Sequence, residues 1–203
     1  MNPKAGYGAN LKTGSESLFH SGEVLPFTLL HFWQWSLSDL LSNATRGRFA
    51  EFIVATALGS DVSQFRREWD SFDLLSREGI KTEVKSAAYL QSWEQRKPSK
   101  IRFSIKPARE YSYETNVYVE LPARTANVYV FCLFHNADKT TANLLDLGQW
   151  EFYVLSTPFL NAEYGSSGSI SLKVLQRNCK PVSYSMLAEE VNACHNLAVA
   201  LQA

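Results

Sequence analysis

Residues 80 to 93 read IKTEVKSAAYLQSW, and Glu83 and Lys85 stand two apart around an apolar Val84. On a strand, side chains two apart share a face, so a carboxylate and an ammonium would lie side by side there. A solvated surface ion pair uses the same spacing, and the surroundings must decide. Upstream, DLL and IKTEVK flank a Ser-Arg-Glu-Gly turn, the pattern of a β-hairpin with Gly79 where φ must be positive. With the three-residue loop Arg77-Glu78-Gly79, Ser76 faces Ile80 and Asp73 faces Glu83, so Asp73, Glu83 and Lys85 converge on one face. A two-residue loop sets Asp73 opposite Val84 and on the other face.

Two directly opposed carboxylates repel and need positive charge between them. Lys85, an arginine or a divalent metal would supply it, and a hard cation fits best. Magnesium takes oxygen ligands and often only one or two carboxylates, with water and substrate phosphate completing its shell. Glu51 adds an independent hint. On a helix predicted over 46 to 58, Phe49, Phe52, Ile53 and Ala57 form one apolar stripe, while Glu51 shares the other side with Val54, Ala55 and Leu58. A glutamate on a helix apolar nearly all round must be neutralised, paired or bound to a metal. The alternative is a rim position, reaching water or bridged to Arg46 or Arg48.

Taken together, Glu51 on a first helix, Asp73 at the start of a hairpin, the triplet Glu83-Val84-Lys85 on its second strand, and Gln91 and Trp93 just beyond resemble the PD-(D/E)XK nuclease superfamily. The resemblance covers about residues 45 to 95 and implies a restriction-endonuclease-like αβββαβ core. It also implies roles. Asp73, Glu83 and Glu51 would hold Mg2+, with Mn2+ as a substitute; Lys85 would position the attacking water and stabilise charge; Gln91 would orient the site or contact DNA. No proline precedes Asp73, whose neighbour is Phe72, and Asp70 competes for the same role. Three residues along a strand reverse the face, so without a bulge only one of the two aspartates points to the site, and the distance to the turn favours Asp73. A cation held by two carboxylates polarises a scissile phosphate and offsets the charge that develops on it. Flanking carboxylates favour the charged ammonium of Lys85, which argues for electrostatic help rather than base catalysis.

DNA needs a surface as well as a site. RKPSKIRFSIKPAR holds Arg96, Lys97, Lys100, Arg102, Lys106 and Arg109 and no acid. As a strand, KIRFSIK turns Lys100, Arg102, Ser104 and Lys106 to one face and Ile101, Phe103 and Ile105 to the other. Phosphate contacts dominate nucleic-acid affinity and need little sequence information, so this stripe is the predicted nucleic-acid-binding surface. A plain solvated face is the competing reading. Tyr111 and Tyr113 follow and would stack on bases or simply pack. The chain as a whole is no basic protein: its 20 Lys and Arg balance 20 Asp and Glu, so any such partner meets a local patch.

Other chemistries find little support. His20, His31, His135 and His195 lack metal-ligand spacing, and no GxSxG elbow, phosphate-cradling Gly-rich loop or dinucleotide fingerprint occurs. Cys132, Cys179 and Cys194 form no CxxC pair and read as free thiols in a reducing cytoplasm. With neither a signal-like N-terminus nor a membrane-length apolar run, a cytoplasmic protein is expected.

The elements that must position these residues follow from periodicity. At 203 residues and 45% hydrophobic, one domain with a substantial core is expected over 25–203, behind a loosely packed arm over 1–24. Two helices fit 35–42 and 45–58, YLQSW reads as a short helix, and KIRFSIKP, ANVYVFCLFH, LGQWEFYVLS and SISLKVLQ read as strands. A helix starts at Ser156 or Thr157 with Pro158 in its first turn. The last helix carries Leu187, Val191, Cys194, Ala198 and Leu201 on a stripe that serves as core or as a dimer seam. The fold class is therefore α/β, bordering α+β, with a mixed central sheet flanked by helices and a C-terminal helix. The function this supports is a Mg2+-dependent DNA endonuclease, duplex DNA first among substrates and a homodimer suggested by fold analogy. The alternative is a catalytically silent nucleic-acid- or partner-binding protein of the same fold.

Overall fold

The computed structural model describes residues 10–64, 70–109, 111–112 and 117–202. Residues 1–9 of the expected arm, 66–69 of the expected hairpin segment, and Tyr113 lie outside this set. The chain opens with a hairpin, β1 (Ser17–His20) and β2 (Glu23–Thr28), then α1 (Leu29–Leu37) and α2 (Asn43–Ala57). Next come β3 (Leu74–Leu75), β4 (Lys81–Ala88), β5 (Arg102–Ser104), β6 (Tyr111–Ser112), β7 (Val117–Tyr118) and β8 (Val128–Phe134). The chain continues through β9 (Trp150–Ser156), α3 (Thr157–Tyr164), β10 (Ser169–Ser171), α4 (Leu172–Asn178) and α5 (Leu187–Ala200).

The centre is a four-stranded mixed sheet in the order β3-β4-β8-β9, with β4 and β8 parallel and both outer pairs antiparallel. Five helices accompany it among the described residues, so the mixed α/β class with α+β character holds. Strand β8, VYVFCLF, is buried at every position because both faces of the sheet are covered, which is why it reads as a continuous apolar run. On one face Val84, Val130, Cys132, Phe134, Phe152 and Val154 pack under α2 and α5. On the other, Ala87, Tyr129, Phe131, Leu133, Tyr153 and Leu155 meet Phe103 of β5, Leu160 of α3 and Leu175 of α4. No helix is long and apolar enough to cross a membrane among the described residues.

The predicted hairpin is present in the predicted register. Leu74 pairs with Thr82 and Leu75 with Lys81, and the Ser76 amide donates to the Ile80 carbonyl at 3.0 Å. Gly79 sits at φ +82°, and its amide closes the turn on the Ser76 carbonyl at 3.0 Å. The buried Ser76 hydroxyl accepts from the Ile80 amide at 3.1 Å, so the turn satisfies its own polar groups. Ser156 also caps α3 as expected, accepting from the Phe159 amide at 3.3 Å with Pro158 behind it.

Four expected elements move. The first helix runs over 29–37 rather than 35–42, because the Asp39 carboxylate accepts from the Leu41 and Ser42 amides and turns the chain there. YLQSW is no helix. The Gln95 side chain accepts from the Gln91 amide at 2.7 Å and donates to the Tyr89 carbonyl at 3.3 Å, offering the backbone partners that a helix would have supplied. SISLKVLQ is strand only over Ser169–Ser171; Ser171 accepts from the Val174 amide and starts α4. In the last helix Leu187 and Val191 are fully buried, but Leu201 lies beyond the helix end and is exposed. Within the expected arm, β1 and β2 pair, although nearly all their side chains face solvent.

A Cβ added at Gly79 would meet no atom within 4 Å, so its only cost is the left-handed backbone. Gly79→Ala should therefore lower stability by about 1 kcal/mol in urea denaturation. An unchanged midpoint would show that the turn does not need positive φ.

Candidate functional site

Asp73 lies one residue before β3, and its backbone amide donates to the Thr82 carbonyl at 3.2 Å. Its side chain reaches across the hairpin, where Oδ2 accepts from the Val84 amide at 2.8 Å. The register that pairs Leu74 with Thr82 sets Asp73 beside Glu83. The segment before it is pinned by Thr125, whose hydroxyl donates to the Ser71 carbonyl. Glu83 and Lys85 follow on the same face of β4, half-buried, with the Lys85 ammonium in an ion pair with Glu83.

The charges of this corner act on one another. Burial raises the pKa of Glu83 above the usual carboxylate range; the negative charge of Asp73 adds to the rise, Lys85 opposes it, and Glu51 contributes a further small increase. Asp73, Glu83, Lys85 and Glu51 therefore form one electrostatic cluster drawn from α2, the hairpin and β4. Cys132, buried at the centre of β8, feels the same two acids: burial pushes its thiol up, and Asp73 and Glu51 push it further. The Cys179 and Cys194 thiols are likewise raised by burial, to about 12 and about 11, so none of the three is a ready thiolate.

Glu51 stands half-buried on α2 and shares with Asp73 the wall of a cleft of about 650 Å3, lined also by Arg48, Phe52, Asp70, Phe72 and Arg77. Arg46 is buried, and its guanidinium donates to the Leu41 carbonyl at 2.9 Å and Asn43 Oδ1 at 2.6 Å. Asp70 is exposed on the same cleft, without the hairpin register that joins Asp73 to Glu83.

Gln91 is buried in the loop after β4. Its Nε2 donates to the Ala88 carbonyl and to Ser99 Oγ, both at 3.2 Å, so it braces the loop between β4 and β5. Tyr129 was not singled out by the sequence. It pairs in register with Glu83, and burial followed by the charge of Glu83 raises its phenol above the ordinary range. Only the parallel pairing of β4 with β8 brings the two together, and the sequence carries no signal of that register.

The basic stripe keeps its alternating faces, although only Arg102–Ser104 of the strand expected over KIRFSIKP is strand. Ile101, Phe103 and Ile105 are buried, while Arg96, Lys97, Lys100, Arg102, Lys106 and Arg109 are all exposed. Phe103 packs edge-on against Phe131 with ring centroids 5.3 Å apart, and Phe131 pairs with Lys85. The stripe is thus carried on a layer that covers the sheet face to which Glu83 and Lys85 turn, opposite the face on which α2 with Glu51 packs. Tyr111 packs edge-on against Tyr118 across β6 and β7, with centroids 5.2 Å apart.

No group of three or more His, Cys, Asp or Glu side chains among the described residues is arranged to hold a metal ion by itself. The donor chemistry that remains is that of a site with few protein ligands. Two carboxylates face each other across the hairpin, and one of them is kept from ionising easily by burial and by the other. A divalent cation there would reverse that penalty, and magnesium is suited to such partial coordination.

A carboxyl whose folded pKa lies above its unfolded value contributes stability below the unfolded value and loses it as pH rises through the folded one. Metal-free protein should therefore gain stability from Glu83→Gln at neutral pH and show no gain below the ordinary glutamate pKa. Urea denaturation in chelator at two pH values checks this, and a larger benefit at acid pH would contradict it.

No curated protein matches the chain. A family model described as bacteriophage T4 endonuclease IV matches residues 30–173, more than half of the chain. The matched span runs from α1 into α4 and takes in Glu51, the hairpin with Asp73, the Glu83-Val84-Lys85 triplet and the basic stripe. This chain belongs to the bacteriophage T4 endonuclease IV family.

Proposed function

We propose that the protein is a Mg2+-dependent DNA endonuclease of the PD-(D/E)XK kind, cutting phosphodiester bonds at the corner formed by Asp73, Glu83, Lys85 and Glu51. The observation that carries this reading is the hairpin geometry: its register sets Asp73 beside Glu83, Asp73 Oδ2 accepts from the Val84 amide, and Lys85 is ion-paired with Glu83. Membership of an endonuclease family supports the reaction class. Opposed half-buried carboxylates are costly in a protein that only binds DNA, and they serve a purpose where a cation and a phosphate must meet.

Asp73 and Glu83 would hold the cation, with Glu51 acting from the helix behind them. Magnesium, when bound, supplies positive charge to the scissile phosphate. The Val84 amide fixes the orientation of Asp73 through Oδ2. Lys85, steered by its contact with Glu83, presents an ammonium to the charge that builds on the phosphate oxygens as the bond to the leaving oxygen breaks. Gln91 is a positioning residue in this scheme, since it holds the loop after β4 in place. Lys100, Arg102 and Lys106 would track the phosphate backbone and draw DNA to the face that carries the site.

Relaxation of supercoiled plasmid with Mg2+ or Mn2+ tests the assignment. Asp73→Ala and Lys85→Ala should each lower nicking by about 100- to 1000-fold, the scale of losing one preorganised electrostatic contact. Undiminished nicking in either variant would remove that residue from the site. DNA retention without cutting by any form would favour the silent binding protein. For the stripe, replacing Lys100, Arg102 and Lys106 together by Ala should weaken binding about equally across sequences and make the slope of log K against log salt shallower by up to about 3. An unchanged slope would show that these side chains are only solvated.

A further inference from the structure

No side chain in the segment from β1 to α1 is fully buried. None of its side chains belongs to either core cluster, and α1, LLHFWQWSL, has no buried residue at all. Exposed in sequence order are Phe19 at 66%, Val24 at 65%, Phe27, Leu30, Phe32 and Trp35, the last at 82%. Scattered exposed apolar residues are ordinary, but here they are concentrated in one contiguous unit. A two-stranded hairpin is marginal in water by itself, and a helix of nine residues is too short to be stable alone. Both nevertheless fold here, with the Thr28 amide donating to His31 Nδ1 at 2.9 Å at their junction.

We propose that this hairpin and helix form the interface of a homodimer, each copy's arm closing on the arm of a second copy of this chain. The argument for a second copy is area and charge. An aromatic side chain presents on the order of 200 Å2, so the exposed fractions of the four aromatics and their aliphatic neighbours together offer roughly 800 Å2. That is about one partner's share of a stable interface. Residues 17–37 contain one acid, Glu23, and no lysine or arginine. Such a surface offers nothing to nucleic-acid phosphates, and it lacks the basic face by which interfacial helices hold anionic membranes. A neutral apolar surface is matched by its own copy, and a twofold axis requires that self-complementarity. Among the described residues the hairpin pairs with no third strand, which gives the axis a place to extend two strands to four.

The test is the mass of the full chain in solution. Light scattering at micromolar concentration should give a dimer for the wild type and a monomer for the double variant Phe19→Glu with Trp35→Glu. Its self-association should weaken by at least about 100-fold. Because neither side chain is buried in the protomer, the circular dichroism spectrum of the variant should be unchanged, which separates lost association from lost folding. A monomeric wild type would overturn the proposal, as would a dimer that survives both substitutions. A wild type that stays monomeric and sediments with neutral vesicles would overturn it in favour of a lipid surface. None of these readouts depends on nuclease activity.

Discussion

The hydrogen bond from the Val84 amide to Asp73 Oδ2 ties together the two strands of the hairpin that carries Asp73 and Glu83, and the placement of charge around it rests on the same register. Gly79 in the left-handed region lets a three-residue turn close, and Leu74 then pairs with Thr82. Period two does the rest. Thr82 and Val84 turn inward toward α2, while Glu83 and Lys85 turn to the opposite face. A slip of one residue would bury the charged pair under α2 and expose Val84, so burial of the apolar face selects the register that assembles the acids.

From that edge, order is passed inward. Strand β4 runs parallel to β8 over seven residue pairs, from Thr82 with Val128 to Ala88 with Phe134. Because β8 is buried on both faces, it cannot itself carry charge; the ionisable groups stay on the strand nearer the rim, and Tyr129 is the polar neighbour that β8 contributes. Helix α2 obeys the same constraint from above. Ala50, Ile53, Val54 and, just past its end, Leu58 fill the core, and Glu51 is left half-buried where the helix passes the hairpin. The acids thus gather where burial is deep enough to strengthen their interactions and the cleft beside Glu51 and Asp73 still opens to solvent.

The neutral balance of the chain and its basic stripe are compatible for a geometric reason. Alternation along residues 100–106, with β5 at their centre, sends Ile101, Phe103 and Ile105 into the core and leaves Lys100, Arg102 and Lys106 outside, so positive charge concentrates on one layer without raising the total. The arm of β1, β2 and α1 shows the opposite economy. It has almost no charge and no core, and its apolar surface stays turned to the outside of the protomer.

The sequence by itself determined what is local. A glycine after Ser-Arg-Glu specifies the turn, strict alternation specifies the faces of β4 and β5, and an apolar run specifies β8; from these Asp73, Glu83 and Lys85 could be set on one face. The short helix expected at Tyr89–Trp93 failed because Gln95 satisfies that backbone from four residues away, a competition no propensity records. The strand expected through Leu172 failed because Ser171 caps a helix instead. What only the tertiary structure decided is which strangers meet. Parallel pairing of β4 with β8 brings Tyr129 to Glu83, and the packing of α2 over the sheet brings Glu51 within electrostatic reach of it. Turns and alternation are written in neighbouring residues, whereas strand order and helix docking are chosen by the burial of the whole core.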